Sequence, residues 1–258
     1  MSEPSLRLRR ILDPVSGRAL LVSFTAAMEV GVVPGLADLP DAVAKIAGHS
    51  RITGAVVHAG VLDSVFAHCS DLPSGAVVDL FGGTWMTTRP DRREQICTLE
   101  HAVRAGADAV LATIGLGGPD ESRQLRLCGP IARDSVAWGM PLIVRIDTTE
   151  TDARRQYSAT LAGLGARMAY ELGADLAIVN YSGSLETFRD ALRGIAIPVL
   201  LGGAPDLSGD DGLLRSVSEA LQAGAQGAAL PATMFWRDGP TETFAKLSQL
   251  VLGPDRRR

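Results

Sequence analysis

The sequence predicts an α/β fold, a single (β/α)8 TIM barrel occupying residues 1–258 as one domain, on three observations. Short apolar runs recur eight times, each followed by polar or Gly-rich punctuation and then a helix-like stretch. Three helix-to-strand joints are alike: "RAGADAVLA" at Arg104–Ala112, "ELGADLAIV" at Glu171–Val179 and "QAGAQGAAL" at Gln222–Leu230. In each, a glycine stands where a helix would close in a left-handed cap, and a strand follows within one or two residues. The length, 258 residues, matches the roughly 250 residues of one such barrel.

In order, the strands are expected at Ala19–Phe24 (ALLVSF), Gly54–His58 (GAVVH), Ala76–Leu80 (AVVDL) and Ala109–Ile114 (AVLATI). The second half continues with Leu142–Ile146 (LIVRI), Leu176–Asn180 (LAIVN), Val199–Leu201 (VLL) and Ala228–Leu230 (AAL). Near-continuous apolar runs of this length are the pattern of parallel strands covered on both faces. No linker or low-complexity tract divides the chain, and its Pro and Gly clusters fall between strands and helices.

Composition excludes several function classes. A net charge of −4 provides no concentrated basic field for a phosphate backbone, so no nucleic-acid partner is expected. No run approaches the ~18 apolar residues of a membrane span and no signal peptide is recognisable, so a cytoplasmic protein with no membrane partner is expected. Cys69, Cys97 and Cys128 are odd in number and widely spaced, which suggests neither a disulfide framework nor a zinc knuckle.

Read in order, "GRALLVSFTAAMEVGVVPGL", "VVHAG", "DLFGGT", "WGMPLI", "ELGADLAIVNYSGS", "IPVLLGGAPD" and "GAALPATMFWRDGP" resemble the archaeal-type class I fructose-bisphosphate aldolases. The wider group includes the deoxyribose-phosphate-type aldolases. The resemblance runs from Arg10 to Pro240 and implies the same barrel, a small-molecule substrate, no cofactor and a homo-oligomer. It also exposes departures. Members resemble one another in a strand-six lysine that forms an imine with substrate, and Ile178 holds that position here. A branched alkyl group has no lone pair with which to attack a carbonyl. Thr25 and Asp147 hold the places of a strand-one aspartate and a strand-five tyrosine.

In a parallel barrel the functional residues come from the C-terminal ends of the strands. Arg145 and Asp147 share one strand face, which by the resemblance points into the barrel. They are expected either to pair as an internal ion pair or to act, Arg145 holding a carboxylate, enolate or phosphate oxygen while Asp147 moves a proton. His58 and Asp79 end strands two and three and are further catalytic candidates, each a general base or polariser. The alternative for His58 is packing, and for Asp79 an Asx turn. Thr25, Glu29, Asn180, Tyr181, Ser182, Gly202 and Gly203 are candidate substrate contacts, although Tyr181 and Ser182 can equally shape the turn. A metal held by His58, Asp79 and Asp147 is conceivable, but the spacing matches no ligand motif, so no metal is expected. Pro231-Ala232 replaces the Gly-Arg pair that the family uses after strand eight, which removes a donor and a guanidinium from a phosphate grip.

Three functions remain open on these residues. One is a lyase or carbon–carbon bond-forming synthase that acts on a small oxo-acid or sugar-derived substrate without an imine. The others are an isomerase, hydrolyase or decarboxylase on the same scaffold, and a non-catalytic metabolite binder.

Overall fold

A computed structural model describes residues 5–31, 33–68, 74–86, 93–148, 153–207, 209–234 and 242–254. Eight parallel strands close into a barrel: β1 (Ala19–Ser23), β2 (Gly54–Val57), β3 (Gly75–Asp79), β4 (Ala109–Leu116), β5 (Leu142–Thr148), β6 (Leu176–Asn180), β7 (Val199–Gly203) and β8 (Gly227–Pro231). Each strand pairs with its sequence neighbours, and β8 returns to β1 with Ala19 opposite Gly227. The predicted TIM barrel is the observed fold. The strand positions agree within a few residues, and β4, β5 and β7 each run two residues further than expected. For β4 and β5 the extension bears on the site. Their seven registered pairs, from Val110↔Leu142 to Leu116↔Thr148, carry Asp147 inside regular strand.

Helices α1 (Ala26–Val30), α2 (Leu39–His49), α3 (Ala59–His68), α4 (Leu99–Arg104) and α5 (Glu121–Trp138) cover the first half of the barrel. The second half carries α6 (Ala153–Gln156), α7 (Ala159–Glu171), α8 (Leu185–Ala191), α9 (Asp210–Ala223) and α10 (Glu242–Leu252). Asp38, Thr98, Ser158 and Ser184 cap α2, α4, α7 and α8 by accepting backbone N–H groups of the first turn. The three repeated joints close as expected on left-handed glycines, Gly106, Gly173 and Gly224. A short antiparallel pair, Phe81–Gly82 with Glu94–Gln95, stands on the β3 to α4 connection.

Strand alternation divides the core in two. Leu20, Val22, Val57, Val78, Val144, Val179 and Leu201 pack outward against the helices. Leu21, Val56, Val77, Leu111, Ile143, Leu176, Ile178 and Leu200 fill the barrel axis, closed at its N-terminal end by Leu8 and Ile11 of the 3-10 helix Leu8–Ile11. The axis is therefore a packed core with a single usable end, the C-terminal mouth. No helix among the described residues is long and apolar enough to cross a membrane.

Candidate active site

Each axial residue fixes the direction of the residue two places on. Ile143 lies in the axial core, so Arg145 and Asp147 project into the mouth above it. Val77 places Asp79 there in the same way, Val56 places His58, and Leu176 with Ile178 leads to Asn180. Thr113, buried on β4, stands in register with Arg145, and Ile178 meets Arg145 from the other side.

Arg145 Nε donates to Asp147 Oδ1 at 2.9 Å. The pair sits at the rim with its side chains 27% and 37% exposed, so neither charge is sealed from water. Arg145 makes no other hydrogen bond to a described residue, which leaves its terminal nitrogens available to a ligand. The adjacent Asp147 carboxylate raises its proton affinity further, and the guanidinium stays charged throughout.

Asp79 is buried, at 6% exposure. Its Oδ1 accepts the Phe81 N–H at 2.9 Å, an Asx turn as anticipated, but the carboxyl is also electrostatically conspicuous. Burial pushes its pKa up to about 7, and the Phe81 hydrogen bond and the positive charges of Arg93 and Arg145 only partly offset this. Those guanidiniums are already engaged. Arg145 pairs with Asp147, and Arg93 pairs with Glu29 at 2.7 Å. Among the described residues of the mouth, Asp79 is the carboxyl left without a guanidinium of its own beside the pairs Arg145–Asp147 and Arg93–Glu29. His58 Nδ1 lies 3.4 Å from the Asp79 carbonyl oxygen. A carbonyl only accepts, so this weak contact favours Nδ1–H and leaves the lone pair on Nε2. Burial lowers the His58 pKa, so the ring is neutral at pH 7.

The remaining candidates separate. Glu29 reaches the mouth from α1, where a loop was expected, and its carboxylate anchors Arg93. Thr25 is buried, with its Oγ1 2.9 Å from Ser23 Oγ. Asn180 follows an irregularity in the β6–β7 register, and its Oδ1 occupies the space that a side chain on Gly203 would take, 2.7 Å from a Cβ built there. Gly202 is needed for the same steric reason, since its Cβ would fall 2.6 Å from Ile178 Cγ2. Tyr181 is a correction. Its ring packs edge-on against Phe188 and its hydroxyl donates to Glu219 at 2.8 Å, so it belongs to the helix layer and cannot contact a ligand in the mouth. Strand period two already puts it on the outward face, two residues after Val179. Ser182 also leaves the site, because its hydroxyl donates to Ser184 O and contacts Thr187 Oγ1 at the start of α8.

Arg93 was missed by sequence reasoning. It is one of three arginines in "RPDRRE", and nothing in a linear loop singles out Arg93. Among the described residues no three His, Cys, Asp or Glu side chains are grouped closely enough to hold a metal ion. The two lysines of the chain, Lys45 on α2 and Lys246 on α10, lie on outer helices and pair with Asp41 and Glu242 one turn away. Trp85 is exposed at the rim, whereas Cys69, Trp236 and Ser208 lie outside the described residues.

The profile of the DeoC/LacD family aldolases matches residues 21–235. The chain belongs to that family. Its members make and break carbon–carbon bonds. The chain is 29% identical over 245 residues to 2-amino-3,7-dideoxy-D-threo-hept-6-ulosonate synthase of Halobacterium salinarum, covering 95% of this chain and 90% of the relative. It is 27% identical over 243 residues to the class 1 fructose-bisphosphate aldolase of Thermoproteus tenax, covering 92% and 90%. Among solved structures, an archaeal fructose-1,6-bisphosphate aldolase superposes with a TM-score of 0.83 at 26% identity over 96% of this chain and 98% of that one. In that archaeal aldolase the catalytic lysine is covalently bound to the carbinolamine intermediate of the substrate. In this chain Ile178 is buried on β6.

Proposed function

We propose that this DeoC/LacD family member is a carbon–carbon lyase or synthase that forms an enolate of a small 2-oxo acid without an imine. The observation that carries this reading is Asp79, a buried carboxyl with a pKa of about 7, set beside the Arg145–Asp147 pair at the barrel mouth. A proton-transfer group is most effective when its pKa lies near the working pH. The terminal nitrogens of Arg145 hold the substrate carboxylate and carbonyl oxygen. The Asp79 oxygen not held by Phe81 takes the α-proton, the C–H electron pair moves to the carbonyl oxygen, and Arg145 stabilises the resulting enolate. The nucleophilic carbon then adds to an aldehyde, and Asp79 returns its proton to the new alkoxide.

This reading moves the proton-transfer role from Asp147, as anticipated from sequence, to Asp79. Asp147 is held by a guanidinium and serves to orient it. Glu29 holds Arg93 in the same way, and the neutral His58 supports the backbone of Asp79.

Imine chemistry is not expected, because Ile178 carries no amine and both lysines lie on outer helices. Borohydride reduction in the presence of pyruvate, dihydroxyacetone phosphate or short aldehydes is expected to leave the protein mass unchanged. A reduced, substrate-dependent adduct on Lys45 or Lys246 refutes this.

The substrate is also expected to lack a phosphate. The first turn of α9, the helix that follows Gly202 and Gly203, carries Asp210 and Asp211, whose charge repels an anion where a helix dipole would otherwise attract one. Pro231 has no N–H to donate, and Ala232 is buried. Asp206 and Leu207, which follow the glycine pair, are not helical and so bring no helix dipole to it. Isothermal titration of matched phosphorylated and unphosphorylated ligands tests this: a preference of about tenfold or more for the phosphate, roughly 1.4 kcal/mol, overturns it.

A further inference from the structure

A cavity of about 300 Å³ opens at the C-terminal end of β1 and β2, between α1, α3 and α4. Its walls are mainly apolar, built from Phe24, Ala27, Met28, Leu39, Val61 and Ile96. Two candidate-site residues, Thr25 and His58, line it as well. His58 therefore has a position in both spaces: its ring contacts the Asp79 carbonyl and also borders the cavity. Thr25 and His58 are the candidate-site residues that the chamber shares with the mouth, whereas Asp79, Arg145 and Asp147 are not part of its walls.

Resting on the reading of Arg145 as a carboxylate anchor, we infer that this cavity is a substrate subsite and that the natural 2-oxo acid carries an apolar side chain of several carbons. The size is suitable. Liquid water takes about 30 Å³ per molecule, so the space corresponds to roughly ten non-hydrogen atoms, enough for a short alkyl chain or one phenyl ring. The chemistry of the walls agrees. A polyhydroxylated chain entering here gives up water at every hydroxyl and finds few partners, because beyond Thr25, His58, Cys97 and His101 the lining side chains are hydrocarbon, methionine sulfur or glycine. An alkyl chain gains by the same transfer. The arrangement matches the general form of small-molecule sites, an apolar chamber with a few convergent polar groups at one end. The polar end fixes the reacting atoms, and the chamber sets which substituent is accepted.

The test is the affinity of the full chain for pyruvate, 2-oxobutanoate, 2-oxopentanoate and 2-oxohexanoate, measured by isothermal titration. Each added methylene buried in the cavity is expected to lower Kd about fourfold, so the series spans roughly 60-fold. Ala27→Leu and Val61→Phe fill the chamber from different walls and lie outside the polar cluster. Each is expected to flatten the series while pyruvate binds within about twofold of wild type. A flat series in wild type, with pyruvate still bound and its binding lost in Arg145→Ala, overturns the subsite and leaves the anchor intact. A series that stays steep in both filled variants places the chain elsewhere and also overturns it. If no member binds, the anchor reading itself fails and the subsite falls with it.

Discussion

Asp79→Asn is expected to lower enolate formation by on the order of 10²–10⁴, the usual contribution of a positioned general base. The measurement is exchange of the α-hydrogens of 2-oxobutanoate for deuterium in D2O, followed by proton NMR, which needs no knowledge of the second substrate. Asparagine keeps the oxygen that accepts the Phe81 N–H, so the turn survives and only the transferable proton is lost. Arg145→Ala is expected to abolish exchange by removing the anchor. Asp147→Asn is expected to cost less than Asp79→Asn, because the amide oxygen can still accept from Arg145 Nε. Should Asp147→Asn prove as severe as Asp79→Asn, the base has been assigned to the wrong carboxyl. In wild type, exchange is expected to rise with pH through a midpoint near 7 and then level, since Asp79 must be ionised to take a proton.

The same substitution is expected to stabilise the fold in a pH-dependent way. Folding raises the Asp79 pKa from the ordinary 3.8 to about 7. The native state therefore retains this proton over a range in which the unfolded chain has released it. The favourable contribution is complete below about pH 4 and is lost as pH rises through 7. Above that, at ~1.4 kcal/mol per tenfold in proton affinity, the buried carboxylate costs on the order of 4 kcal/mol. Asparagine cannot ionise and escapes this cost. Urea titrations are expected to show Asp79→Asn close to wild type at pH 4 and more stable by on the order of 2–4 kcal/mol at pH 8. An identical difference at both pH values means that Asp79 ionises normally in the native protein. Gained stability together with lost exchange is the combination expected of a group held in an unfavourable state for function.

The parts of the site legible in sequence are those that follow from strand period. Arg145 and Asp147 are two residues apart on an apolar run, so they share a face whatever the rest of the chain does, and they pair at 2.9 Å. His58 and Asp79 were legible as strand ends. Tyr181 was a candidate for its place just after Asn180, but period two sets it on the outward face with Val179, and there it packs in the helix layer. Arg93 was not legible because a loop residue has no period at all. Glu29 was legible as a candidate, but its role as the partner of Arg93 depends on two segments more than sixty residues apart in the chain.

The sequence by itself determined the barrel, the common strand face of Arg145 and Asp147, and the alkyl side chain of Ile178 on β6. These depend on local pattern, on glycine at helix ends and on residue identity, which act over a few residues. Only the tertiary structure decided that burial lifts the Asp79 pKa to about 7, that Arg93 joins the cluster, and that an apolar chamber opens beside His58. Desolvation and cavity shape are sums over atoms supplied by β1, β2, β3, β5 and the helices around them. No single segment carries that sum, so it exists only once the chain has closed.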